Sequence, residues 1–226
     1  MSKSKIVLIT GASSGIGRAT AQELVKNGHK VALTARSEDK LNSLVSELGQ
    51  DNAVAFSADA TSFDAQKEVV EKTVAHYGRL DVAFANAGIG LNAAGTENGD
   101  PQEWDKLIDI NVKALLWTAN LTLPHLRETE GHFIMTASAA GRRAIKGSVY
   151  GASKWFAYGF GNNLAEEMKE WNGRCTTICP GVVNTPFFDE AKDDKLQPED
   201  VAEAVAFAID AHQRNSVREI YLMPTN

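Results

Sequence analysis

Lys5-Ile6-Val7-Leu8-Ile9-Thr10-Gly11-Ala12-Ser13-Ser14-Gly15-Ile16-Gly17 is the stretch on which the reading of this chain turns. An apolar, largely β-branched run ends in three glycines and passes from Arg18 into a helical pattern. Glycines at such a turn let the backbone bend sharply and approach a ligand, and the free N–H groups of the new helix attract phosphate. The stretch therefore predicts a strand, a pyrophosphate cradle and a helix, in that order. Its spacing is G-x-x-x-G-x-G and not G-x-G-x-x-G. A plain tight turn between strand and helix is the alternative.

Working outward, β-rich apolar runs recur at Lys30–Ala35, Ala53–Ala58, Leu80–Ala85, His132–Ala137, Arg174–Cys179 and Arg218–Met223. Longer amphipathic stretches separate them, the signature of strand-helix-strand units around a parallel sheet. Runs such as IVLIT and VAFA are apolar or small throughout, as expected where helices cover both faces. Gly28, Gly49, Gly78 and Gly173 follow helical patterns, where a left-handed cap favours glycine. Asp100, Pro101 and Glu103 predict an N-cap, a first helical residue and a capping box. No linker or repeat interrupts the pattern. The expected fold is a single doubly wound α/β domain over residues 1–226, with about seven parallel strands.

Composition narrows the function. The 226 residues are 43% hydrophobic and 23% charged, with 18 Gly and 6 Pro, which suits a sizeable core and excludes disordered or collagen-like classes. A net charge of -6 with interleaved signs argues against nucleic acid or an anionic membrane as partner. No run approaches the roughly 18 apolar residues of a membrane span, and Met1–Gly11 is too short a hydrophobic start for a secretory signal, so a cytoplasmic protein is expected. Cys175 and Cys179 lie on one strand, too far apart for a disulfide, and are read as reduced core residues. No His spacing suits a metal, and none is expected.

Four places along the chain carry chemistry. The second strand ends Thr34-Ala35-Arg36-Ser37, with no acid to accept from an adenosine ribose. Arg36 suits a 2′-phosphate, which predicts NADP(H) over NAD(H); a solvated arginine flanking a helix is the alternative. Tyr150 and Lys154 stand at i and i+4 on a helix, where an ammonium beside a phenol favours phenolate. Ser138 follows the fifth strand, at the edge where open parallel sheets bind ligands. Asn111 falls within the apolar stripe of Trp104, Leu107, Ile108 and Leu115, and a buried amide demands partners. Capping a kink and joining a proton relay are both open to it.

Together these residues resemble the short-chain dehydrogenase/reductase family over nearly the whole chain. The matching stations are Gly11/Gly15/Gly17, Asp59, Asn86-Ala87-Gly88, Asn111, Ser138, Tyr150 with Lys154, and Pro180-Gly181-Val182-Val183-Asn184-Thr185. The resemblance implies a Rossmann fold, Tyr150 as proton donor or acceptor, and Ser138 orienting a carbonyl. It gives Lys154 the tasks of lowering the Tyr150 pKa and holding the nicotinamide ribose, and Asn111 a water that links Lys154 to solvent. For the coenzyme it implies Gly11, Ser13, Ser14, Gly15, Ile16 and Gly17 at the turn. Asp59 and Ala60 would lie near the adenine, and Asn86, Ala87 and Gly88 along its ribose. Tyr150, Lys154, Pro180, Gly181, Val183 and Thr185 would border the nicotinamide half. Arg36 resembles the basic residue of NADP-preferring members, although Ser14 stands where some of them carry a second one.

The expected function is NADP(H)-dependent interconversion of a carbonyl compound and an alcohol, with NAD(H) as the lesser coenzyme. A sensor that binds NADPH without chemistry is the rival reading. The loops Ile89–Gly99 and Gly141–Gly147 and the segment after Thr185 would set specificity, with Ala140, Phe187 and Phe188 as substrate contacts. Phe187 and Phe188 would close over the substrate or pack on the core, and Trp155 would line the pocket or the core. Arg142, Arg143 and Lys146 would read a substrate anion or face water. Gly151, Gly159 and Gly161 thin the Tyr150 helix enough for a second helix, in keeping with a homodimer or homotetramer, or they accommodate the sheet.

Overall fold

Isoleucine, valine and leucine at successive positions make β1 (Ile6–Thr10), and every residue of it is buried. The computed structural model describes residues 4–91, 95–188 and 190–225. Six further strands follow: β2 (Lys30–Ala35), β3 (Ala53–Ser57), β4 (Val82–Ala85), β5 (His132–Thr136), β6 (Arg174–Pro180) and β7 (Glu219–Leu222). All pair in parallel, in the order β3-β2-β1-β4-β5-β6-β7. The chain winds outward from β1 in one direction, then returns to β4 and winds in the other. A crevice opens where the winding reverses.

Seven helices connect the strands: α1 (Gly15–Lys26), α2 (Glu38–Leu48), α3 (Phe63–Tyr77), α4 (Pro101–Ile108), α5 (Leu115–Glu128), α6 (Val149–Lys169) and α7 (Pro198–Asp210). Because side chains alternate along a strand, each run feeds two cores. Val7, Ile9, Val31, Leu33 and Phe84 pack with Leu24, Leu41 and Val205 of α1, α2 and α7. Leu8, Ala32, Ala83, Phe133 and Met135 pack with Val69, Ala119 and Leu164 of α3, α5 and α6. The strands read as continuously apolar for this reason. None of the helices is long and apolar enough to cross a membrane, among the described residues.

All seven expected strands are present, with ends shifted by a residue or two. Two local expectations give way. Gly173 is not the left-handed residue after α6; Asn172 is, at φ 60°. Gly173 is glycine because a Cβ there would come within 2.3 Å of the Trp171 ring. At α4, Asp100 accepts from Gln102 N–H at 2.8 Å and Pro101 opens the helix, so the cap is an Asp turn and not a reciprocal box with Glu103. Within α6, a Cβ on Gly161 would lie 2.2 Å from Thr177 Oγ1, so this glycine seats the helix on the sheet. Gly159 has open space beside it.

Candidate active site

Each glycine of the first turn is required for a different reason. Gly11 and Gly15 have φ of 66° and 51°, which L side chains rarely adopt. A Cβ on Gly17 would sit 2.4 Å from Gly11 O and 2.8 Å from Asn86 Nδ2. The Asn86 amide holds the turn by donating to Thr10 O (3.2 Å) and Gly11 O (3.4 Å), while its Oδ1 accepts from Thr136 Oγ1 at 3.1 Å. Thr10 Oγ1 in turn accepts from the N–H groups of Asn86 and Ala87, both at 3.0 Å. Ser14 caps α1 without a side-chain hydrogen bond, and the first turn of α1 carries no acid. Unshielded N–H donors and the positive end of the helix thus face outward, a setting that favours an anion.

They face a cavity of about 1310 Å³ across the carboxyl ends of the strands. With the exception of Gly17 and Asn111, every residue expected to touch coenzyme or substrate lines it, from Arg36, Asp59 and Ala60 at one end to Ala140, Phe187 and Phe188 at the other. Gly17 lies behind the turn and shapes it. Asp59 accepts from the N–H and hydroxyl of Thr61 at 2.9 and 2.8 Å; these bonds hold its carboxyl below the usual range, helped by Arg36. Beside the exposed Arg36, the cavity wall also includes Ser37, a cap of α2 with no side-chain hydrogen bond, and Lys40. Neither Ser37 nor Lys40 stands out in the sequence, since a hydroxyl and a lysine at a helix start are commonplace.

Ser148 caps α6 by accepting from Gly151 N–H at 2.9 Å, which places Tyr150 in the first turn and Lys154 one turn on. The ammonium of Lys154 lies 5.7 Å from the centre of the Tyr150 ring and donates to Thr136 O at 3.0 Å. Ser138 accepts from Ala140 N–H at 3.1 Å and reaches Pro180 O at 3.4 Å, and its hydroxyl stands close enough to the Tyr150 phenol to favour the phenolate. A Cβ on Gly141 would lie 2.4 Å from Lys154 O, so only glycine lets the Ser138 turn come this close to α6. Burial pushes the Tyr150 phenol above its ordinary value of 10.0, and the Ser138 hydroxyl pulls the other way. Burial also brings Lys154 down to about 8. The expected lowering of the phenol by the ammonium does not emerge in this structure, where desolvation disfavours both charged forms.

Asn111 finds the partners that a buried amide demands. It sits in a π-helical turn, Asp109–Ala114, between α4 and α5. Such turns arise where a helix admits an extra residue, often at functional sites. Its Oδ1 accepts from Ile89 N–H and its Nδ2 donates to Ile89 O, both at 2.9 Å, with a further bond to Ser153 Oγ at 3.1 Å. The buried amide thereby clamps the segment after β4 to α6, and a Cβ on Gly88 would meet both Asn111 Oδ1 (3.3 Å) and Lys154 Nζ (3.4 Å).

At the far end, the Phe187 ring lies 5.6 Å from that of Tyr150 and 5.2 Å from that of Phe188. A Cβ on Gly90 would be 2.5 Å from Phe187, so the phenylalanine rests over the pocket and not in the core. Residues 92–94 of the Ile89–Gly99 loop and residue 189 lie outside the described residues. Trp155 is 47% exposed and neither lines the cavity nor joins the core. Arg142 is exposed, pairs with Glu219 and stacks 4.5 Å from the Tyr158 ring, and it does not line the cavity. Arg143 lines the cavity, and Lys146 is exposed.

The family model described as short chain dehydrogenase matches residues 5–196. An uncharacterized oxidoreductase of Staphylococcus saprophyticus is 37% identical over 229 aligned positions, covering 97% of each chain. Among solved structures, an alcohol dehydrogenase from the archaeon Thermococcus sibiricus, complexed with 5-hydroxy-NADP, superposes with a TM-score of 0.92 at 29% identity, over 99% of this chain and 97% of its own. A 3-ketoacyl-(acyl-carrier-protein) reductase from Brucella melitensis, complexed with NADH, does so with a TM-score of 0.91 at 27% identity, over 98% and 97% of the two chains.

Proposed function

The chain belongs to the short-chain dehydrogenase family of oxidoreductases, and on that footing we propose that it reduces a ketone or aldehyde with NADPH and runs the reverse oxidation. One observation carries this reading. Ser138, Tyr150 and Lys154 meet at the floor of the same cavity that the glycine turn opens onto. A sensor of NADPH has no need of that constellation.

The residues present fit a dinucleotide. Open N–H donors of α1 suit the pyrophosphate, and the Gly17 position leaves the turn no room for a side chain. Arg36, Ser37 and Lys40 offer two cations and a hydroxyl to a 2′-phosphate, with no acid at the end of β2 to repel it. NADP(H) is thus the preferred coenzyme in this reading. When bound, it supplies the hydride.

The protein supplies the proton and the geometry. Tyr150 is protonated at neutral pH, because burial raises its pKa, and it donates to the carbonyl oxygen as alkoxide charge develops. Ser138 donates a second hydrogen bond to that oxygen and orients it. Lys154 keeps positive charge beside the phenol and steadies the phenolate that proton transfer leaves. Asn111 acts behind them by fixing Ile89 and Ser153, and in this reading it holds a water that links Lys154 to solvent. The same reading takes the chain as a homodimer or homotetramer. Exposed Ile108, Leu116, Trp155 and Phe156 on α4, α5 and α6 are the apolar surface that pairing would cover.

The test is the loss of reduced-nicotinamide absorbance across a broad panel of aldehydes and ketones. Consumption of NADPH that depends on a carbonyl compound is expected. Coenzyme binding without turnover on any of them would move the protein to the sensor class.

A further inference from the structure

The cavity has two arginines in its wall, Arg36 and Arg143. Elsewhere Arg18, Arg79, Arg142 and Arg218 pair with carboxylates, Arg174 is held by main-chain carbonyls and Arg127 lies over the Trp171 ring, while Arg214 is exposed outside the cavity. Arg143 makes no hydrogen bond or ion pair with any described residue, in a chain whose net charge is -6. We propose that Arg143 is the specificity determinant of the site and holds the carboxylate of the substrate, an oxo acid in the direction of reduction and a hydroxy acid in the direction of oxidation.

The position of Arg143 is set from both sides. Before it, Gly141 packs against the main chain of α6 at Lys154, as no other residue could. Next to it, Arg142 is tied to Glu219 of β7 and to the Tyr158 ring. The guanidinium that follows is left to the cavity on the Ser138 side. Arg36 follows β2 and Arg143 follows β5, three strand spacings apart in the sheet order, about 14 Å. The two cations therefore serve different parts of what the cavity holds. The dinucleotide phosphates are already met by α1 and by Arg36, which leaves Arg143 for the other reactant.

The rest of that end is apolar: Ile145, Val182, Phe187 and Met223 all line the cavity. Lys195 is also in the wall but is 2.7 Å from Asp194. One unpaired guanidinium, exposed at the mouth of the cavity beside apolar side chains that are themselves partly open to solvent, matches one carboxylate through a two-pronged hydrogen bond. A phosphate dianion would call for more donors than this end provides.

The step balances with the chemistry proposed above, on which this inference rests. The carbonyl carbon gains a hydride with its electron pair from the coenzyme, and the oxygen gains the Tyr150 proton. The C=O π bond is replaced by C–H and O–H bonds, and the carboxylate leaves unchanged. The coenzyme leaves oxidised.

The experiment compares kcat/KM with NADPH for ω-oxo acids of increasing length, each beside its methyl ester and a phosphorylated aldehyde of similar size. The best acid is expected to exceed its ester by about tenfold or more, mainly through KM, equivalent to about 1.4 kcal/mol. Arg143→Gln should remove that preference and leave the ester rate unchanged; Arg143→Lys should keep part of it. Stabilisation of the protein against heat by the matching hydroxy acid should be lost in the same variant, a readout that needs no turnover. Equal rates for acids and esters, or an equal loss on both in Arg143→Gln, would overturn the proposal and leave the oxidoreductase reading standing. A preference for the phosphorylated aldehyde would overturn the carboxylate assignment. No reduction of acid, ester or phosphate would overturn this proposal, and the broad carbonyl panel above would then decide the oxidoreductase reading separately.

Discussion

At the amino ends of the seven strands, Lys5, His29, His132 and Arg174 are drawn into the protein, whereas at the carboxyl ends Ser14, Arg36, Ser138 and Tyr150 face a cavity. His29, His132 and Arg174 are each less than 5% exposed. Arg174 donates to Ala208 O, Ile209 O and Ala211 O at 3.1–3.4 Å, Lys5 to Ile209 O, and His29 lies 3.0 Å from Asp210. All these partners belong to the end of α7. In a parallel sheet the helices run back against the strands, so helix C-termini collect at the amino edge and N-termini at the carboxyl edge. The first edge offers carbonyls to the protein's own cations. The second offers N–H groups, and in the first helix no described side chain caps them. The two edges are built from the same dipoles with opposite outcomes: one is closed for stability, the other kept open for a ligand.

Mutations at the two edges should separate activity from stability. Tyr150→Phe is expected to lower kcat by roughly a thousandfold, about 4 kcal/mol in the barrier, with NADPH affinity and Tm unchanged. Steady-state rates, fluorescence titration and calorimetry check this together. A variant that keeps a tenth of the rate would break the contrast, because the open edge would then lack its acid. At the closed edge, Arg174→Ala strands three α7 carbonyls and should destabilise the protein by about 3 kcal/mol in urea unfolding. The folded fraction should retain wild-type kcat.

Smaller effects sharpen the same contrast. Arg36→Ala should weaken NADPH ten- to a hundredfold, about 1.4–2.7 kcal/mol, and leave NADH nearly unaffected, as paired dissociation constants will show. A wild-type preference for NADH would count against Arg36 as a phosphate ligand. The closed edge should also respond to pH through His132. Thr176 donates its hydroxyl to Val217 O, so His132 Nε2 carries the proton toward Thr176 at 2.7 Å, and Nδ1 has no partner among the described residues. Desolvation first, then the charges of Arg174 and Lys5, hold its pKa well below 6.5. The unfolded state thus binds a proton that the folded state does not, and stability present above pH 6.5 is lost as pH falls below it, by up to about 1.4 kcal/mol per unit. Urea midpoints between neutral pH and mild acid measure the slope. His132→Gln should flatten it.

Much of the open edge was legible because its signals are local. Gly11, Gly15 and Gly17 mark a turn by composition, Tyr150 and Lys154 share a face by helical spacing, and Asn111 stands out as an amide in an apolar stripe. Thr10 and Thr136 gave no such signal, since threonine is at home in a strand; only the register shows both hydroxyls reaching Asn86 and its neighbour. Arg142 and Arg143 are indistinguishable as neighbours in a charged loop. Glu219, far along the chain, separates them by taking the first. The closed edge was not legible at all, because Lys5, His29, His132 and Arg174 are scattered singly and acquire meaning only where α7 ends or, for His132, beside Thr176 of β6.

The amino-acid order by itself therefore settled the alternation of strand and helix, the phosphate-receptive turn and the pairing of a phenol with an amine one helical turn away. These depend on periods of two and 3.6 residues and on the backbone freedom of glycine, which neighbours along the chain suffice to express. Tertiary structure alone decided that Ser138 comes up to the phenol, that burial raises the phenol's pKa, and that one arginine of two faces the cavity. Those outcomes turn on which strands lie side by side and how much water their packing expels, and no local stretch of sequence contains either.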